Sequence, residues 1–315
     1  MMVPAARQRG VALLTAMLIM ALTAIITTGM IASMNLALQR SGNIWNAQQN
    51  WWYGIGIENW LGAQLRKEAE ATEIDSLDEY WAQPVDYLPI DGGSITGRIV
   101  DLQGRFNLNN LVLGDSEAEI AYFTRLISTV ADTDPVTAQS IAQATKDWID
   151  GDKEPTRPYG AEDNYYLGQM PAYRTGNTLM VSPSEIEAVR GMTPAIYRAL
   201  LPNISALPEA TAINVNTAPA AVLQALSQNM PASAGEQLAE QRQDSPWEDA
   251  SEFLQAGPMA GQGEALKGIS LDVKTRYFLV AGRITVVDSQ TQFYTVLERA
   301  DNGAVHVVRH ATDAY

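Results

Sequence analysis

Cysteine is absent and histidine occurs only twice, at His306 and His310, in a chain of 315 residues. A disulfide framework is thereby excluded, and the two distant histidines argue against a structural zinc site. Positive charge is scarce as well: 21 Lys and Arg face 36 Asp and Glu, a formal net charge of −15. Such a balance disfavours nucleic acid and anionic membrane faces as partners, and no arginine-rich aromatic platform offsets it. A serine-centred nucleophile motif is missing too, and the acidic neighbours Glu162 and Asp163 establish no acid/base geometry, so no enzyme class is supported. With 46% hydrophobic residues the chain has enough apolar material for a substantial core or two domains.

Charge disappears entirely from Gly10 to Leu38, an apolar run long enough to span a bilayer. The leader before it, MMVPAARQR, carries Arg7 and Arg9 on the side expected to stay cytoplasmic, which gives an N-in, C-out topology. Three readings fit this start: a cleaved secretory signal, a plain membrane anchor, or a prepilin-type leader cut before the apolar helix. A secretory signal has an apolar region of roughly 7–15 residues, shorter than this one, so the helix is expected to be retained. Gly10 stands at the boundary between basic and apolar residues, where a missing side chain suits a protease working at the cytoplasmic face.

Proline is absent from Asn35 through Ala71, so the helix is expected to continue beyond the membrane as one rod. Ile44, Trp51, Ile55 and Trp60 recur at near-helical spacing and predict a stripe packed on a globular body. Trp45, Trp51, Trp52 and Tyr53 alternatively mark the aqueous interface of the membrane. The later aromatics are assigned to core packing, with Trp45 open between the two readings.

After Pro84 and Pro89, SITGRIVDLQGRFNLNNL reads as a hairpin, with Ile95 and Ile99 in its strands and a turn near Gln103-Gly104. The C-terminal RYFLVAGRITVVDSQTQFYTVLERADNGAVHVVRH reads as three antiparallel strands, broken at Asp288-Ser289-Gln290 and at the hairpin signal Asp301-Asn302-Gly303. An isolated early ribbon would be marginal, so early and late strands are expected to share one mixed or antiparallel sheet against the soluble half of the first helix. Between them, from about Glu117 to Leu266, the pattern is helical. Thr137, Ser182 and Thr193 are the expected N-caps, with Pro194 and Pro219 in first turns.

The richest chemistry lies in DWIDGDKEPTRPYGAEDNYY, from Asp147 to Tyr166. An acidic loop of this kind suits calcium, which takes about 6–8 oxygen ligands, although the spacing is not that of an EF-hand. The competing reading has Asp147 and Asp150 facing solvent or capping a helix, and Glu162 and Asp163 opening another helix. Trp148 is expected to anchor the helix end in the core, while Gly151 and Gly160 allow a tight turn. INVNTAPAAVLQAL, from Ile213 to Leu226, reads as a structural turn and short helix with Val222, Leu223 and Leu226 packed. It lacks the basic glycine-rich turn of a nucleic-acid hairpin. His306 and His310, four apart on the last strand, are expected on one face.

Taken together, RQRGVALLTAMLIM, DWIDGDKEPTRPYGAEDNYY and INVNTAPAAVLQAL make nearly the whole chain resemble the large minor pseudopilins of type II secretion systems, the K-type subunits. The resemblance implies an α+β pilin-like fold: a long N-terminal transmembrane helix on an antiparallel sheet, with a large all-helical domain inserted between early and late strands. The corresponding division is a leader over residues 1–10, an anchor over 11–38, pilin-like segments over 39–114 and 271–315, and the insertion over 115–270. It further implies an unprocessed precursor, cleaved after Gly10 by prepilin peptidase and methylated at Val11. Thr15 occupies the fifth mature position, where most pilin-like subunits carry a glutamate. Losing that carboxylate suits a subunit at the filament tip, since a buried charge there would need a partner.

The implied role is to cap the periplasmic pseudopilus, anchored in the inner membrane, and to initiate its assembly for export of folded proteins. The implied partners are the I-type and J-type minor pseudopilins, the H-type and major pseudopilins, and contacts with exported substrates or the secretin. Calcium is the implied cofactor, with Asp150, Asp152, Glu162 and Asp163 as candidate ligands. The alternatives are a membrane-anchored periplasmic adhesin with a pilin-like start, distinguished by failure to enter a pseudopilus, and a metal-dependent hydrolase, for which no base and nucleophile can be named.

Overall fold

The computed structural model describes residues 9–286 and 289–312. Arg7 and the rest of the leader through residue 8, and Asp288 of the expected break, lie outside the described residues. Helix α1 runs from Arg9 to Ala71, 63 residues, or about 95 Å at 1.5 Å per residue. Every residue from 11 to 45 is exposed, so the apolar half of the helix packs on nothing else among the described residues. The half beyond Asn50 lies on a five-stranded antiparallel sheet built from β1 (Val85–Ile90), β2 (Gly93–Asp101), β7 (Tyr277–Val286), β8 (Ser289–Arg299) and β9 (Val305–Thr312), in the order β1-β2-β7-β8-β9. Early and late strands thus close one sheet, as expected, with β2 paired to β7 along its whole length.

Period-two alternation divides the sheet's two faces. Phe278, Val280, Ile284 and Val286 of β7, with Ile95, Ile99, Phe293 and Leu297, form a buried cluster with Ile57, Leu61 and Leu65 of α1. At the remaining position of this β7 row, Gly282 leaves space for the Phe293 ring: a Cβ there would lie 2.3 Å from it. Tyr277, Leu279 and Val296 point the other way and meet Leu102 and Leu207. The stripe on α1 is therefore rotated from the one expected. Ile44, Trp51 and Trp60 are exposed, and the packed positions are Gly54, Ile57, Glu58, Leu61 and Leu65; the aromatic spacing alone does not distinguish two adjacent helix faces. Trp45 is exposed as well.

The early hairpin also differs from expectation. Its turn is Asp91-Gly92, and the partner of β2 is the preceding β1, with Pro89 opposite Ser94. An edge strand tolerates that proline because one side of it pairs with no strand among the described residues. The turn near Gln103-Gly104 instead leads into the helical body, through β3 (Phe106–Asn107). Phe106, Leu108 and Leu111 already belong to that body's core, so its packing begins before residue 115.

The body contains α2 (Asn110–Leu113), α3 (Ser116–Ala131), α4 (Pro135–Ile149), α5 (Asp163–Tyr166), α6 (Pro194–Leu200), α7 (Ala220–Ala225), α8 (Ala234–Asp244) and α9 (Ala250–Gln255). Two short parallel pairings accompany them: β3 with β4 (Ile204–Ser205), and β5 (Ile213–Asn214) with β6 (Leu271–Asp272). Ser182 and Thr193 cap as expected, Ser182 in a capping box with Glu185. The segment after Ser182 winds as a 3-10 helix, Pro183–Ala188. Pro219 precedes α7 as its capping residue. Thr137 is not a cap; Asp134 takes that role, its Oδ1 accepting from the Val136 and Thr137 amides at 3.1 and 3.0 Å with Pro135 in the first turn. Asp134→Ala is expected to lower the thermal midpoint with unchanged helicity at low temperature, because two first-turn amides lose their acceptor.

A duplication that the sequence reading passed over organises this body. Phe-Asn-Leu-Asn at 106–109 and Ile-Asn-Val-Asn at 213–216 each open with one of the parallel strands. In each, the first asparagine's Oδ1 accepts from the amide two residues on, Asn109 or Asn216. The second asparagine then brackets a distant residue through both backbone groups, Met180 for Asn109 and Trp247 for Asn216. Buried amides with every bond made fix one conformation.

Candidate functional site

Two places carry the chemistry expected from the sequence. At the first, Gly10 lies in the opening turn of α1, directly before the exposed Val11. Thr15 turns its hydroxyl back onto its own helix, donating toward the Val11 and Ala12 carbonyls at 3.1 and 3.0 Å. A satisfied hydroxyl at this position can stand in hydrocarbon without a partner, unlike a carboxylate.

The second place is the loop after α4. Gln143 and Asp147 lie one turn apart on that helix and clamp the returning chain. Gln143 bonds Arg157 O and the Tyr159 amide at 2.9 and 2.8 Å, and the Asp147 carboxylate accepts from the Thr156 amide at 3.0 and 3.1 Å. Asp147 is fully buried, which raises its pKa. The return is so close that a Cβ on Gly160 would lie 2.1 Å from Asp147 Oδ2; Gly151, by contrast, stands in open space. Trp148 anchors the helix end, edge-on to Tyr166 at 5.3 Å between ring centres. Neither Asp147 nor Asp150 faces solvent.

This clamp brings Asp150, Asp152 and Glu162 together, with one carboxylate oxygen from each within 4.8 Å of the others. Asp150 ends α4 and pairs with Lys146 one turn back, at 2.9 Å. Asp152 accepts from the Glu154 amide at 2.8 Å. Glu162 precedes α5, is 3% exposed, and neither of its oxygens has a protein partner; the same holds for Asp150 Oδ1. Burial, and then the charges of Asp147 and Asp150, push Glu162 up to about 7. Three unpartnered buried oxygens among converging carboxylates fit a hard cation, which satisfies such groups where hydrogen-bond donors do not. Asp163 is separate from this group: its Oδ1 accepts from the amide and hydroxyl of Thr175 at 3.2 and 3.1 Å, and its Oδ2 lies 3.7 Å from Arg174. Adjacent residues at a helix start point in different directions, so Asp163 does not join the group that Glu162 completes.

His306 and His310 are also separated. Pairing of β8 with β9 slips by one residue between Val296 and Leu297, so His310 stands opposite Thr295 and His306 opposite Glu298. Those partners are three apart and lie on opposite faces. His310 reaches α1, where Glu58 lies 2.5 Å from its Nδ1 and also accepts from Thr295 at 2.6 Å. His306 is exposed.

A long helix that is apolar and unpartnered at one end and packed on an antiparallel sheet at the other defines a pilin-like assembly subunit, here enlarged by a helical body. The family described as type II secretion system protein K matches residues 104–209, and a second domain of the same description matches residues 213–274. Type II secretion system protein K of Pseudomonas aeruginosa is 34% identical over 310 residues, covering 96% of this chain and 92% of that protein. The Aeromonas hydrophila protein of the same description is 30% identical over 322 residues, covering 96% of both. Among solved structures, the GspK-GspI-GspJ complex of enterotoxigenic Escherichia coli matches with a TM-score of 0.79 at 26% identity, covering 88% of this chain and 100% of that one. The chain belongs to the type II secretion system protein K family, the large minor pseudopilins.

Proposed function

We propose that this chain caps the periplasmic pseudopilus of a type II secretion system and initiates its assembly, in a tip complex with the I-type and J-type minor pseudopilins. The observation that carries this reading is the pairing of an unpartnered apolar helix with a bulky body inserted between the strands. The helix supplies the surface by which subunits bundle, and the body obstructs any subunit above it. On this reading Val11 to Leu38 forms the inner-membrane anchor, with the N-terminus cytoplasmic and the sheet and helical body periplasmic. Prepilin peptidase cuts after Gly10, and Val11 becomes the methylated N-terminus. Thr15, with no charge to pair, suits the end of the stack. The H-type and major pseudopilins follow below, and the protein works by assembly, without chemistry of its own.

Calcium is assigned to the loop, held by Asp150, Asp152 and Glu162. The ion would neutralise three carboxylates that otherwise repel one another and would tie the two ends of the loop together. Sedimentation of residues 39–315 with the I-type and J-type pseudopilins, with and without calcium, tests both statements. Among the described residues, removing the anchor removes no packing, since residues 11 to 45 are all exposed. A stoichiometric ternary complex is the expected result, with chelation weakening it at least several-fold. No complex in either condition would favour the adhesin reading instead.

A further inference from the structure

One oxygen of the proposed cation site is already taken by a cation that belongs to the chain. Lys146 Nζ lies 2.9 Å from Asp150 Oδ2 and 3.2 Å from Thr156 Oγ1. Its side chain is only 22% exposed and that of Asp150 only 9%, so the pair is shielded from the screening that makes surface pairs weak. Asp150 Oδ1 and both Glu162 oxygens are buried without partners. The ammonium of Lys146 thus lies among these carboxylates, interacting with Asp150, Asp147 and Asp152 and occupying one oxygen of Asp150.

Resting on the calcium reading, we propose that Lys146 sets the divalent-cation affinity of this loop, by confining Asp150 to one available oxygen and by placing a positive charge beside the bound ion. Helix spacing brings the pair within reach, because Lys146 lies in the last turn of α4 and Asp150, four residues on, is its C-cap. With the loop free of metal, the ammonium relieves the repulsion among its acidic neighbours. When a divalent ion arrives, the same charge opposes it. A unit charge within about 6 Å of a divalent ion, at an effective dielectric near 20, shifts affinity by well over tenfold. Rearrangement of the freed carboxylate takes back part of that, leaving an expected change of about tenfold or more.

The two effects have opposite signs, and a merely structural lysine would not produce both. Calcium titration by calorimetry on the full chain in detergent, paired with thermal unfolding with and without calcium, reads them together. Lys146→Met is expected to bind calcium about tenfold more tightly than the parent while melting at a lower temperature without metal. Lys146→Arg, which keeps the charge, is expected to match the parent. Lys146→Gln keeps a hydrogen-bond donor toward Asp150 without the charge; it should fold where Lys146→Met does not, and should bind more tightly as well. Equal or weaker binding by folded Lys146→Gln and Lys146→Met overturns the proposal while leaving the calcium site standing. Absence of any calcium uptake by the parent, alongside Glu162→Gln as the control, overturns the calcium reading and this inference with it.

Discussion

Replacing Arg299 by methionine is expected to remove about 3–5 kcal/mol of stability at pH 8, the range for breaking a buried ion pair by deleting one partner. Arg299 and Asp75 are 8% and 3% exposed. One guanidinium nitrogen, Nη2, donates to Asp75 Oδ2 at 2.5 Å and to the Thr275 carbonyl at 2.8 Å, and the group lies over the Phe278 ring at 5.1 Å. Methionine fills the space of the stem but leaves the carboxylate buried and uncompensated. Burial already raises Asp75 to about 6, against the pull of Arg299. Without that pull the carboxyl takes up a proton at still higher pH. The deficit of the variant should therefore shrink between pH 8 and pH 5, and adding Asp75→Asn should recover most of it. Urea unfolding of residues 39–315 followed by circular dichroism at both pH values measures this. A loss below about 1 kcal/mol at pH 8 would mean that the pair adds nothing beyond a surface contact.

The size of that effect follows from where the pair sits. Asp75 follows α1, Asp101 ends β2, Thr275 precedes β7 and Arg299 ends β8, so the pilin-like sheet and the helical body meet at this point. Asp101 accepts four bonds, from the Gln103 amide, Thr275, Asn214 and Thr217 at 2.6–2.9 Å. Asn214 in turn donates to the Asp75 carbonyl at 3.1 Å. The body is thereby fixed to the sheet through its second asparagine motif. Such a joint holds the helical body and the sheet in one relative orientation, where a loose hinge would not.

Much of this architecture was legible in the chain, and the exceptions share a physical cause. The apolar run and the late strands follow from hydrophobic patterning, which a single strand or helix expresses locally, and the sheet shared by early and late strands follows from the marginal stability of an isolated ribbon. The register of α1 did not follow, because Trp51 and Trp60 flank the buried stripe and a tryptophan signals apolar area without saying which neighbour covers it. The β8–β9 slip that separates His306 from His310 leaves no local mark either. At the acidic loop, the family resemblance pointed to Asp150, Asp152, Glu162 and Asp163 together; the structure brings the first three together and turns Asp163 toward Thr175. What composition missed is the clamp: Gln143 and Asp147, buried and one turn apart, shape the loop that the carboxylates occupy. The repeated Asn-x-Asn was the available signal for the duplication, visible when residues 106–109 are set beside 213–216.

Replacing Glu119 by glutamine is expected to stabilise the protein by about 1–3 kcal/mol at pH 8 and to leave it nearly unchanged at pH 4. Glu119 is 4% exposed on α3 and its contact with a side-chain donor is a 3.3 Å bond from Asn110 Nδ2. Burial, with a contribution from Asp115, raises its pKa from 4.5 to about 7. Between those values the native state holds a proton that the unfolded state has lost. Its contribution is therefore complete below about pH 4.5 and declines as pH rises through about 7, where folding must ionise a buried group. Glutamine imitates the protonated carboxyl at every pH, so the stability difference between parent and variant should open between pH 5 and 8 and then level off. Asp75 carries the same sign over a lower window, but it is common to both proteins and cancels in that difference. Asn110 also bonds both backbone groups of Thr211, so a charged Glu119 bears on the contact between the first asparagine motif and the segment leading into the second. A difference that stays constant from pH 4 to 8 would show that the carboxyl titrates alike in the folded and unfolded states, its bond to Asn110 offsetting the cost of burial.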